Sequence, residues 1–251
     1  MSAGARTFVA SVIFILFTSD LIANEVTVSA GLTRSPYLMV NTKNGIEIDI
    51  VKEALLRAGH YANFRYHPYR TGFRKFKDNE FDALLLANTS VPIGDVFFSK
   101  PYITYQNVAI SLTKNKLTVN DIDDLVGKKV IAFSQATKYL GDSFLAKTRN
   151  FLLYKELLQV PQQIKMLFSG RVDVIIIDIN IFKYFFNKLE TSAVDMTQGY
   201  KVHPIFNPYP YSVAFHSKEL AGAFDQGLAQ LKESGGIKRI IDRYIEKGSK
   251  H

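Results

Sequence analysis

The chain has 251 residues, 47% of them hydrophobic and 22% charged, which excludes a disordered or fibrous polymer and suffices for one or two buried cores. It has no cysteine, so disulfide scaffolds, iron-sulfur clusters, cysteine nucleophiles and thiolate zinc sites are excluded together. The 31 Lys and Arg against 23 Asp and Glu leave a formal charge of +8, but the densest basic stretch, residues 232–250, interleaves Glu233, Asp242 and Glu246. That pattern reads as a solvated helix face, and nucleic acid is not expected as a partner.

The first 23 residues read as a secretory signal peptide. Arg6 gives a positive start, residues 8–17 (FVASVIFILF) form an apolar run too short for an ordinary membrane span, and Ala23 offers a small residue for cleavage. Leu21 and Asp20 fit a cleavage site imperfectly, so an uncleaved anchor is the competing reading. Cleavage removes Arg6 and Asp20 and leaves the net charge unchanged. The mature chain is expected to be soluble and outside the cytoplasm.

From Val26 onward, short apolar strands alternate with amphipathic helices, the pattern of an α/β protein with mainly parallel sheets. A strand is predicted at 26–31, followed by a helix with Asp49 as N-cap and Ile50, Val51, Ala54, Leu55 and Ala58 on one face, ended by Gly59. A strand at 63–67, a helix at 73–77 and strands at 81–86 and 107–112 follow. The polar stretch 113–120 reads as a connection between lobes. Beyond it lie a helix at 121–126, a strand at 129–133 and helices at 138–147 and 160–168. Gly170 precedes a run at 172–177 so apolar that it is expected as a central strand covered on both faces. A helix at 180–188, a proline-rich break at 204–210, a strand at 211–215 and helices at 221–232 and 237–247 complete the order. Residues 76–88 and 168–179 echo one another, each placing an aspartate (Asp82, Asp173) at a strand start and polar groups (Asn88 and Thr89, Asp178 and Asn180) at its C-terminal end, where α/β sheets place ligands. The five histidines (His60, His67, His203, His216, His251) are scattered without metal-ligand spacing, so neither a metal nor any other cofactor is expected.

Seven segments in order, Ser35-Pro36-Tyr37, Gly45 to Ile50, Phe81-Asp82-Ala83, Phe98 to Tyr102, Asp124 to Val130, Gly170 to Asp173 and Leu231 to Ile237, resemble the bacterial extracellular solute-binding proteins of family 3, the type 2 periplasmic binding proteins of amino-acid ABC transporters. The resemblance spans about residues 24 to 247. It implies a two-lobed α/β fold, each lobe a mainly parallel sheet flanked by helices, with two crossing strands as hinge and the ligand caught between the lobes. Lobe 1 would be residues 24–110 and 211–251 and lobe 2 residues 111–210, with the chain crossing near Thr113 and Tyr209.

The resemblance also implies site residues. Family members hold the α-ammonium of an amino acid with a carboxylate where Asp178 stands, although Asp178 is also placed to N-cap the following helix. They hold the α-carboxylate with a Thr and an Arg three residues later; here Thr89 is present but Pro92 replaces the Arg, so the ligand carboxylate lacks that partner. Arg70 is one candidate replacement, unless it is only a surface arginine packed over Tyr69. The turn at Ser134, Gln135, Ala136 and Thr137, with free N–H groups at a helix start, is the other. Tyr37, Tyr69 and Tyr102 are expected as aromatic walls or as core, and Asn88 as a polar group at the strand end.

The leading functional reading is a monomeric periplasmic receptor that captures a small polar solute, an amino acid or a relative, for an ABC transporter permease or a membrane sensor, without catalysis. The competing reading is an enzyme on the same fold, such as a dehydratase of a cyclic prephenate-like acid, which would need a general acid and base facing an apolar pocket. No such carboxylate and histidine pair is evident in the sequence.

Overall fold

A computed structural model of the protein describes residues 24–87, 94–189 and 194–246. The expected signal peptide, residues 1–23, lies outside the described residues. In chain order the elements are β1 (Glu25–Ala30), α1 (Ile46–Arg57), β2 (Tyr61–Tyr66), α2 (Tyr69–Lys77), β3 (Ala83–Ala87), β4 (Phe97–Phe98), β5 (Ile103–Tyr105) and β6 (Asn107–Leu112). They continue with β7 (Lys129–Phe133), α3 (Ala136–Tyr139), α4 (Asp142–Thr148), β8 (Leu153–Leu157), α5 (Val160–Phe168), β9 (Val174–Asp178), α6 (Ile179–Lys188), β10 (Tyr200–His203), β11 (Tyr209–Phe215), α7 (Lys218–Glu233) and α8 (Gly236–Ile245).

These elements form two sheets flanked by helices, an α/β protein of two lobes. In the first sheet β1 lies between β2 and β3, parallel to both, and β11 adds antiparallel to β3, β4 and β5. The second sheet runs β10-β6-β9-β7-β8. Its middle strand, β9, is buried along its whole length, as its unbroken Val-Ile-Ile-Ile run requires of a strand covered on both faces. One face of this sheet packs on α5 and α6 through Ile164, Leu167, Phe168 and Phe182. The other encloses Phe144 and Phe151. In the first lobe α1 and α7 cross so closely that a Cβ added to Gly227 would overlap the Ala54 carbonyl oxygen.

The strand pairing places the first crossing between lobes at Gln106, because all of β6, from Asn107 on, belongs to the second sheet. The polar stretch at Thr113 is instead a turn inside the second lobe. The chain returns between Phe206, packed in the second lobe, and Tyr209, which opens β11. Other expected bounds shift for local reasons. The first helix begins at Ile46, not after Asp49, because Gly45 takes φ 138 and its N–H is held by the Tyr244 hydroxyl at 3.0 Å. The helix expected over 138–147 is two, α3 and α4, broken at Gly141 with φ 87. No helix among the described residues is long and apolar enough to cross a membrane.

Candidate functional site

The lobes meet at Asp178. It ends β9 and N-caps α6, its Oδ1 accepting from the N–H groups of Asn180 (2.9 Å) and Ile181 (3.0 Å). The same oxygen accepts from the Tyr37 hydroxyl of the first lobe at 2.8 Å, and Oδ2 accepts from the Gln106 N–H of the crossing at 3.0 Å. Four donors therefore converge on a carboxylate that is 4% exposed, three of them on Oδ1 and one on Oδ2. Burial nevertheless pushes its pKa above the ordinary aspartate value. The Gln106 side chain ties the two crossings together by donating to the Phe206 carbonyl at 2.7 Å.

The wall of the first lobe is built on Glu47, a carboxylate in the first turn of α1 with no exposed surface. It accepts from the Tyr102 hydroxyl (3.1 Å), from the Tyr105 hydroxyl, and from Arg34 Nη2 (2.9 Å) in an ion pair. Arg34 also donates from Nε to Tyr105 Oη at 2.8 Å, and its guanidinium carbon stands 5.1 Å from the centre of the Tyr105 ring. Burial alone would lower the Arg34 pKa; the neighbouring Tyr105 and Glu47 outweigh it and raise it. Tyr105 stacks on Tyr37 at 4.1 Å and meets Tyr211 edge-on at 5.3 Å. The Tyr211 hydroxyl is pushed up to about 12 by burial first, then by Tyr209, with Tyr139 of α3 in the second lobe also within electrostatic reach. Tyr139 is 64% exposed and Tyr209 43%.

The turn before α3, expected to offer free N–H groups, is occupied by the chain itself. Glu156 of β8 accepts from the Gln135 N–H (2.7 Å), the Thr137 N–H (2.8 Å) and hydroxyl (2.9 Å), and the Tyr154 hydroxyl (2.9 Å). Burial works to raise the Glu156 pKa, but these four bonds outweigh it and hold it below the usual glutamate range. Gln135 adopts φ 65 and Leu86, near the end of β3, φ 55. Each costs about 1–2 kcal/mol for a residue with a Cβ, and both lie at C-terminal strand ends, where such strain collects at binding sites.

Of the residues expected at the site, Tyr37 and Tyr102 are buried and stand behind the surface as supports of Asp178 and Glu47, because their hydroxyls are needed there. Tyr69 and Arg70 are exposed at the start of α2, with the Tyr69 hydroxyl raised by burial and by Tyr209. Ser134 and Gln135 are exposed, Thr137 is half-buried, and Asn88, Thr89 and Pro92 lie outside the described residues. Arg34, Glu47, Tyr105, Tyr139 and Tyr211 were not foreseen as site residues. The signal for Glu47 was present: it falls three, four and seven residues before Ile50, Val51 and Ala54, a charge on an apolar stripe. Among the described residues no group of three or more His, Asp or Glu is placed to hold a metal.

The family model for bacterial extracellular solute-binding proteins, family 3, matches residues 26–247. The chain belongs to this family. Similar solved structures include a polar amino acid ABC uptake transporter substrate binding protein from Streptococcus thermophilus, at 18% identity and TM-score 0.70, covering 88% of this chain and 86% of that one. Substrate binding domain 2 of Lactococcus lactis GlnP, in an open conformation, matches at 18% identity and TM-score 0.67, over 88% and 95%. The amino acid ABC transporter substrate-binding protein AbpA from Streptococcus pneumoniae, bound to L-arginine, matches at 21% identity and TM-score 0.59, over 89% and 95%. These likenesses establish the fold of the family member. A comparison with curated proteins gave no match.

Proposed function

We propose that this family 3 protein is a periplasmic receptor that captures a small polar solute, an amino acid or a related compound, between its two lobes and delivers it unchanged to an ABC importer or a membrane sensor. The observation that carries this reading is the cluster of Tyr105, Tyr211 and Tyr209 beside Arg34 in the first lobe, next to the contact of Tyr37 with Asp178 where the lobes meet. Family membership and the names of similar structures support an amino acid as the first class to test. Tyr69, Arg70, Ser134, Gln135 and Thr137 border the space between the lobes in this reading, with Asn88 and Thr89 following β3. Asp178, already accepting from four donors, serves the hinge.

Thermal-shift screening against amino acids, polyamines and organic acids tests the proposal. A solute present at about a hundred times its Kd stabilises the fold by about 2.7 kcal/mol, a shift of several degrees. Recovery of that solute chemically intact, at one equivalent per chain, separates capture from turnover. A solute consumed on incubation would replace this reading with the enzymatic one.

A further inference from the structure

We propose that Arg34 is the anion anchor of the cleft, and that the free edge of its guanidinium binds the carboxylate of the solute. The proposal rests on the solute-binding reading and deepens it. A guanidinium has five N–H donors in a rigid planar fork. Two of them are engaged among the described residues, one on Tyr105 Oη and one on Glu47 Oε1. Three remain, including both on Nη1. The side chain is 36% exposed while its partner Glu47 is fully buried, so the ion pair is open to solvent only through Arg34.

This arrangement differs from an ordinary ion pair in what holds it. The Glu47 carboxylate also accepts from the Tyr102 and Tyr105 hydroxyls, which fix its orientation and spread its charge. Arg34 is thereby held in one geometry before any ligand arrives, and little side-chain entropy is lost on binding. The alternative anion sites are weaker. Arg70 is exposed and makes no hydrogen bond or ion pair among the described residues, so its ordering would be charged to the ligand. The N–H groups of Gln135 and Thr137 are taken by Glu156. The carboxylates Asp178, Glu47 and Glu156 each accept from three or four internal donors, so all three are already engaged inside the protein. The cleft so built selects a carboxylate, with Tyr105, Tyr211 and Tyr209 beside it to take an apolar or flat body.

The test uses acid and amide pairs that differ only at the group Arg34 would hold: L-phenylalanine and its amide, L-leucine and its amide, L-arginine and its amide, and 3-phenylpropanoate and its amide, each titrated calorimetrically into the full-length mature protein. At least one acid binds, its amide binds about thirtyfold or more weakly, and Arg34→Lys weakens the acid about tenfold or more while Arg171→Ala, at an exposed position before β9 at the end opposite Asp178, leaves it unchanged. Should Arg34→Lys fold poorly, phenylglyoxal labelling of the wild type with peptide mapping gives the same answer: the bound acid protects Arg34. An amide that binds as well as its acid, or an acid that leaves Arg34 reactive or binds Arg34→Lys unimpaired, overturns the assignment and leaves the receptor reading standing. A wild type that binds none of these compounds overturns the assignment, and the receptor reading falls with it only if the wider solute screen is also empty.

Discussion

Replacing Asp178 by Asn keeps the shape of the side chain and removes its charge and one acceptor. The Asn carbonyl oxygen still serves the N–H groups of Asn180 and Ile181 and the Tyr37 hydroxyl, but its NH2 group now faces the Gln106 N–H, which in the wild type donates to Oδ2 at 3.0 Å. A buried donor left without an acceptor costs about 1–3 kcal/mol. Part is returned, because burial raises the Asp178 pKa and so penalises its ionised form. With the folded pKa above the unfolded one, the contribution of this group to stability is fully present below the unfolded pKa and is lost as pH rises through the folded value. Asn carries no such dependence. The variant is therefore most deficient in acid, and the deficit narrows as pH rises toward neutrality. Asp178→Ala also loses the cap of α6 and the Tyr37 bond, and costs about 3–5 kcal/mol. Urea unfolding followed by tyrosine fluorescence, in a chain with 13 Tyr and no Trp, measures both. An Ala variant costing less than about 1 kcal/mol, with an Asn variant as stable as the wild type in acid, would refute the hinge role. Calorimetry on the Asn variant carries a second arm: a loss of about 2–5 kcal/mol in solute binding, with stability unchanged, would move Asp178 from the hinge into the ligand site.

Gly227→Ala, a change that stabilises most helices, destabilises this protein by about 1–3 kcal/mol, because the new methyl meets the Ala54 carbonyl across the α1 and α7 contact; equilibrium denaturation measures it. Gly45→Ala costs about 1–3 kcal/mol by the same assay, since φ 138 and the Tyr37 carbonyl oppose a Cβ there, and it displaces the turn that sets Glu47. Intact-mass analysis of exported protein finds residues 1–23 absent; retention of Met1 would favour an anchor.

The sequence displays what is local and conceals what is assembled. The β9 strand is legible because a central strand buried on both faces is an unbroken apolar run, and α7 because Ala221, Phe224, Leu228 and Leu231 keep a helical period. By contrast β8, at the edge of its sheet with the sequence Leu-Tyr-Lys-Glu-Leu, carries no run to recognise, and its Glu156 is turned to a helix start 21 residues away. Arg34 and Glu47 lie 13 residues apart across an irregular loop, and only the buried ends of Tyr102 and Tyr105 reveal why a charge belongs on the apolar face of α1. Asp178 was legible as a cap or as a ligand group, but not as both at once. The choice depends on Gln106 and Tyr37, distant in sequence and brought to it by the crossing.

Glu156 makes the last case, because an anion site already filled by the chain has a signature in acid. Its carboxylate accepts from Gln135, Thr137 and Tyr154, bonds available only to the ionised or acceptor form, and they hold its pKa below the ordinary glutamate value despite burial. A depressed folded pKa means that the stabilising contribution is fully present above the unfolded pKa and is lost as pH falls through the folded one. Glu156→Gln replaces one acceptor oxygen by a donor and removes this dependence, so its Tm lies below that of the wild type by a constant amount near neutrality. Below about pH 4.5 the gap closes, since protonation then takes from the wild type what the substitution has already taken from the variant. Differential scanning calorimetry across that range measures the gap. A gap that persists unchanged into acid would show that Glu156 acts through packing and that the N–H groups of the α3 turn are satisfied by something other than its charge.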